Sequence, residues 1–140
     1  MNRISFEDMA MSIAKVVKER SEDLHKKVGV CILDNQGRVL SVGYNGIKPK
    51  VEKNDSFWLD RDNRRKYVIH AEANALSSIT RSSNPFILAS TLLPCASCAI
   101  NICSYGIKKV LYIEDYVNDK SAYDILKFHE VELIKYESNC

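Results

Sequence analysis

Short apolar runs alternate with helix-patterned segments along this chain, and that alternation is the strongest constraint on its fold. Phe86 to Thr91, Lys109 to Ile113 and Val131 to Ile134 read as strands. Helical segments separate them, from about Cys95 to Tyr105 and from about Ser121 to Phe128. Strands joined through helices imply at least partly parallel pairing, because parallel neighbours need such a crossover. Upstream, Val28 to Leu33 and Val39 to Tyr44 flank Asp34-Asn35-Gln36-Gly37 and read as a hairpin. Ser5 and Glu7 open a helix in which Phe6, Met9, Ala10, Ile13, Val16 and Val17 recur at helical spacing, and the polar stretch Arg20 to Lys27 ends it. Another helix runs from about Ala71 to Thr80. The fold class is α/β, a central sheet of about five strands with helices packed on its faces.

With 140 residues, 46% of them hydrophobic, the chain has material for one core, so residues 1–140 are expected to form a single domain. Lys+Arg 20 against Asp+Glu 18 leaves a charge of +2, which gives no electrostatic reason to expect nucleic-acid or membrane binding and points to a small partner. No apolar run approaches a membrane span, and Met1 to Asp8 carry no signal-peptide pattern. Five cysteines are an odd number, which favours thiols or metal ligands in a reducing, cytoplasmic setting over a disulfide framework. Asn45 to Lys66 is charged and aperiodic and reads as a long functional or mobile loop containing Phe57 and Trp58.

The chemistry concentrates in His70-Ala71-Glu72 and Pro94-Cys95-Ala96-Ser97-Cys98, each at the start of a helix. Catalytic zinc takes three protein ligands and leaves one position open for water, and His70, Cys95 and Cys98 supply such a set. Cysteines three apart on a first helical turn project to one side, where unpaired N–H groups and the helix dipole favour thiolate. Alone, such a pair is often structural or redox-active. A thioredoxin-type site has no need of an upstream His-x-Glu, however, and a zinc finger wants a second close ligand pair, which His25 and His129 do not offer. Those two histidines read as surface residues. Cys31 and Cys103 read as small core hydrophobes. Two thiolates and a neutral imidazole leave zinc formally uncharged, so its acidity toward water is muted and a neighbouring base helps. Glu72 is placed for that work as a proton shuttle; the plainer alternative is charge complementation at a helix start. A His-x-Glu followed by Pro-Cys-x-x-Cys is the zinc-deaminase signature.

Over nearly its whole length the chain resembles the cytidine deaminase superfamily, and within it the deoxycytidylate (dCMP) deaminases. The resemblance rests on Arg20 to Asp23 with Lys27-Val28-Gly29, on Gly43-Tyr44-Asn45-Gly46, on Lys66 to Ala75, and on Thr91 to Cys95 with Gly106 to Val110. The long loop before His70, with Trp58 inside it, is also similar to that family. It implies a three-layer cytidine-deaminase-like fold and hydrolysis of dCMP to dUMP and ammonia by zinc-activated water, one zinc per chain, supplying dUMP for thymidylate synthesis. It further implies that Asn45 binds the sugar, where the alternative is a turn residue, and that the Ala71 N–H meets the pyrimidine carbonyl. Tyr116 would pack on the substrate, where the alternative is an ordinary rim residue. Ser21 and Lys27 are candidates for the 5'-phosphate, against a plain solvated loop.

Some family features differ. Ile47 to Val51 replaces the family's Pro- and Gly-rich turn, and no cysteine for a second, structural zinc is present in this loop. The resemblance implies a homo-oligomer, commonly a hexamer, with dCTP and dTTP as effectors alongside Mg2+; Arg81 sits where some relatives have an Arg at a subunit boundary, against the simpler account of a solvated helix end. The competing functions are a deaminase of another base, nucleoside or tRNA on the same fold, and a noncatalytic metal module. Arg61, Arg64, Arg65 and Lys66 form the one basic patch that favours a polynucleotide; Asp60 and Asp62 dilute it, and it reads as a charged solvated loop.

Overall fold

The computed structural model describes residues 2–116 and 119–137; Cys140 lies outside them. Helix α1, Phe6–Val17, starts at Ser5, whose hydroxyl accepts the Asp8 N–H. Strands β1, Gly29–Asp34, and β2, Val39–Tyr44, form the hairpin; the Asp34 carboxylate accepts the N–H groups of Gln36 and Arg38 and so fixes its turn. Strand β3 spans Pro85–Leu92, β4 Lys109–Glu114 and β5 Glu132–Lys135. The sheet order is β2-β1-β3-β4-β5, antiparallel through the first three strands and parallel from β3 to β5. The parallel half is the part built from helical crossovers. Among the described residues no helix is long and apolar enough to cross a membrane.

Two-residue periodicity divides the core. Val30, Ile32, Leu88, Val110 and Tyr112 face three helices: α4 (Ala71–Leu76), α5 (Ala96–Ser104) and α6 (Ser121–Phe128). Cys31, Leu33, Ile87, Ala89 and Leu111 face α1 on the other side. Helices on both faces give a three-layer arrangement, as the resemblance implies.

Helix α1 departs from its expected stripe. Ala10, Met11 and Ala14 are fully buried, whereas Phe6 and Val16 are 55% and 73% exposed. The reason is a close approach: a Cβ on Gly29 would lie 2.0 Å from the Ala14 carbonyl oxygen, so the helix meets β1 through its small residues. Gly43 does the same across the sheet, where a Cβ would meet the Ala71 carbonyl oxygen at 2.5 Å and the Ala75 nitrogen at 2.6 Å. This contact seats the first turn of α4 against β2.

The expected loop 45–66 contains two helices. Asn54 caps α2, Asp55–Leu59, and Asp60 caps α3, Arg61–Tyr67, each by accepting backbone N–H groups with its side chain. Trp58 is 2% exposed and belongs to the core. The expected helix to Thr80 stops at Leu76, and Arg81 lies exposed in a short 3-10 turn.

Candidate active site

A two-residue bridge brings the two halves of the site together. Gly46 and Ile69 exchange backbone hydrogen bonds of 3.1 and 2.8 Å, which sets His70 beside the end of β2. His70 then serves as the N-cap position of α4, and Glu72 falls in its first turn. At the carboxyl end of β3 the chain passes through Leu93 and Pro94 to Cys95, the N-cap position of α5, with Cys98 in the first turn. The crevice beyond the carboxyl ends of parallel strands is where sheets of this kind leave room for a ligand.

His70 Nδ1 lies 3.3 Å from Cys98 Sγ and 3.5 Å from Cys95 Sγ. The three donor atoms fall within 4.8 Å of one another, and no other cluster of this kind occurs among the described residues. Donors sharing one tetrahedral zinc, with bonds near 2.0 Å to nitrogen and 2.3 Å to sulfur, stand roughly 3.6 Å apart. The spacing and the soft donor set therefore fit zinc. Without metal, the Cys98 thiol donates to Cys95, which, with His70 and Ser97, pulls Cys95 down to about 3; Cys98 is pushed far up in turn. His70 is raised by its hydrogen bond to Cys95. Glu72 is 5% exposed, and burial pushes its carboxyl up to about 7.

His70, Ala71, Glu72 and Cys95 line a cavity of about 180 Å³, with Asn45 and Tyr116 also in its wall. As the first helical residue, Ala71 has an N–H without a partner inside α4. Asn45 is 7% exposed and does not make a hairpin turn. Its Oδ1 accepts Val28 N–H at 2.8 Å, and its Nδ2 donates to the Lys26 carbonyl at 2.9 Å and to Asp23 Oδ2 at 3.3 Å. It thereby clamps the 23–28 segment to β2, and its Oδ1, with one bond accepted, keeps capacity for a second.

Ser21 and Lys27 do not reach the cavity wall. Ser21 is buried, and its hydroxyl donates to the Asn45 carbonyl at 2.9 Å; Lys27 is exposed. The cations in the wall are instead Lys26, Arg64 and Arg65. Arg64 Nη1 lies 3.7 Å from Asp23 Oδ2, and Asp23 also accepts the N–H groups of His25 and Lys26. The stretch expected as a solvated basic loop is thus a capped helix with two arginines at the site. Two signals in the sequence could have placed them: the Asp60 cap, and the short distance from α3 to His70. Cys31 is fully buried, Cys103 is half-buried, and His25 and His129 are exposed.

The family model for the zinc-binding region of cytidine and deoxycytidylate deaminases matches residues 4–114. The chain belongs to the cytidine and deoxycytidylate deaminase family. The probable deoxycytidylate deaminase of Drosophila melanogaster is 35% identical over 131 residues, covering 86% of this chain and 64% of the fly protein. The deoxycytidylate deaminase of Enterobacteria phage T2 is 30% identical over 156 residues, covering 81% of this deaminase-family chain and 82% of the phage protein. The chain thus spans less than two thirds of the fly relative. Among solved structures, the dCMP deaminase of cyanophage S-TIM5 in complex with dCMP and dUMP matches with a TM-score of 0.80 at 27% identity, over 97% of this chain and 100% of that one.

Proposed function

We propose that the whole chain acts as one zinc-dependent deaminase domain that hydrolyses dCMP to dUMP and ammonia, and so supplies dUMP for thymidylate synthesis. The observation that carries this reading is the His70, Cys95 and Cys98 cluster opening, with buried Glu72, onto a cavity whose wall holds Lys26, Arg64 and Arg65. His70, Cys95 and Cys98 hold the metal. Bound zinc supplies a nucleophilic water near neutral pH. Glu72 accepts a proton as the water attacks the amino-bearing ring carbon, and delivers it to the adjacent ring nitrogen. It then takes the second proton of the water and passes it to the departing amine, which leaves as ammonia. The Ala71 N–H holds the pyrimidine carbonyl, Asn45 Oδ1 accepts a sugar hydroxyl, and Tyr116 covers the substrate from the β4 side.

For the 5'-phosphate, Lys26, Arg64 and Arg65 replace Ser21 and Lys27, because a dianion seeks wall-lining cations. The related S-TIM5 complex with dCMP and dUMP supports a nucleotide over a nucleoside or tRNA. The reading extends to a cytoplasmic homo-oligomer, a hexamer, with dCTP and dTTP as effectors accompanied by Mg2+. A second cavity of about 260 Å³ supports effector binding: Arg20, Lys48 and Lys50 line it with Trp58, whose buried indole N–H has no partner. The test is a substrate panel of dCMP, deoxycytidine and cytosine followed by the absorbance loss on deamination, repeated with dCTP or dTTP. The expected result is a strong preference for dCMP. Equal efficiency on deoxycytidine would overturn the nucleotide assignment.

A further inference from the structure

Beside the catalytic cavity lies a second space of about 390 Å³ that shares Lys26, Arg64, Arg65 and Tyr116 with it and adds Arg61 and Asp115. A carboxylate at this rim stands to capture a cation that an anionic substrate needs. Glu114 shows the outcome, since its Oε2 holds Lys26 Nζ at 2.6 Å; both side chains are about half exposed, so the pair is screened and separable. Asp115, the next residue, is held elsewhere. Its Oδ1 accepts the Tyr123 hydroxyl at 2.5 Å, and its Oδ2 accepts the Lys135 ammonium at 3.2 Å. With the Tyr123 hydrogen committed to Asp115, the Tyr112 hydroxyl, 2.6 Å away, donates to the Tyr123 oxygen. The two rings meet edge to face at 6.2 Å, and Tyr112 is buried in β4. A chain of hydrogen bonds thus runs from the core to the cavity rim, anchored on α6 and β5 and outside the catalytic groups.

We infer that Tyr123, backed by Tyr112 and Lys135, is a positioning residue: it holds the Asp115 carboxylate off the rim, so that Lys26 and Arg64 meet no acidic group beyond Glu114 and Asp23 and Arg65 stays available to the anionic group of the substrate. The inference rests on the nucleotide reading above. Released, Asp115 would compete with that group for the same cations, which costs affinity for a nucleotide without touching the proton transfers at Glu72.

The test compares the parent protein with Tyr123→Phe and with the double variant Tyr123→Phe, Asp115→Asn, reading kcat and KM for dCMP and, by calorimetry, the affinity for dUMP. Losing one rim interaction predicts KM for dCMP and Kd for dUMP about three- to fivefold higher in Tyr123→Phe, with kcat held. Adding Asp115→Asn should restore both constants, which a merely structural role for Tyr123 would not allow. Lys135→Met, at a surface position, should give a smaller rise of about twofold that Asp115→Asn also reverses, and it decides the matter should Tyr123→Phe fold poorly. Unchanged KM and Kd in these variants, or a rise that Asp115→Asn leaves in place, would overturn the inference while the functional reading stands. A parent that neither turns over dCMP nor binds dUMP would overturn the nucleotide reading itself.

Discussion

Two cysteines on opposite faces of the same sheet have opposite chemistry. Cys31 sits on the α1 side among Met11, Leu33 and Ala89, and burial pushes its thiol up to about 11. Cys95 sits on the other side at the entry to α5, where the Cys98 thiol and His70 draw it down to about 3 in the absence of metal. The α1 face is an apolar seam closed by small residues. The α4 and α5 face ends in two helix starts where a histidine, a buried glutamate and two sulfurs converge. What separates the two cysteines is therefore position, the middle of a buried strand against the entry of a helix, rather than the residue type. Both faces bury apolar side chains, and the α4 and α5 face also holds the buried polar groups of the site.

The contrast can be broken most sharply through the metal. Cys98→Ala or His70→Ala should reduce zinc from one per chain toward none and abolish turnover, whereas Cys31→Ala should keep both; metal analysis alongside dCMP assays checks this. Full zinc occupancy in a Cys95, Cys98 double variant would break the comparison. In metal-stripped protein, alkylation followed by mass spectrometry should separate the thiols by pH. The Cys95 rate should stay flat from pH 5 to 8, because a lowered thiol is already thiolate above its folded value of about 3. Cys31 should gain about tenfold per pH unit up to its raised value, starting from a far lower rate.

Smaller effects test the scaffold face. Met11→Ala removes a fully buried side chain and should cost ~2–5 kcal/mol by denaturant unfolding, with kcat/KM per folded molecule unchanged. Ser5→Ala removes the α1 cap and should cost about 1 kcal/mol, again without a kinetic effect. A kcat loss in either variant would show that α1 reaches the chemistry.

Much of this division was legible in the sequence. The hairpin, α5, α6 and the β4 run announce themselves through two- and 3.6-residue periods, and the spacing of His70, Glu72, Cys95 and Cys98 signals the cluster that the fold assembles. Helices α2 and α3 were hidden because they are short, charged and without a full apolar stripe, so that only the Asn54 and Asp60 caps mark them. The α1 stripe misled at Phe6 and Val16 because periodicity does not report how closely a helix approaches a glycine such as Gly29. Asp23, Lys26, Arg64 and Arg65 were not legible as a group. They converge only through the Asn45 clamp and the Gly46–Ile69 bridge, which are tertiary contacts between segments that carry no shared motif.

The most direct test of the central claim is the dCMP turnover of Glu72→Gln measured together with its zinc content. The substitution keeps size and hydrogen bonding, leaves all three donor residues in place and removes the proton carrier. The account predicts one zinc per chain, retained dUMP binding, and a kcat lower by at least about a hundredfold. Near-normal turnover in a fully zinc-loaded Glu72→Gln protein would contradict it.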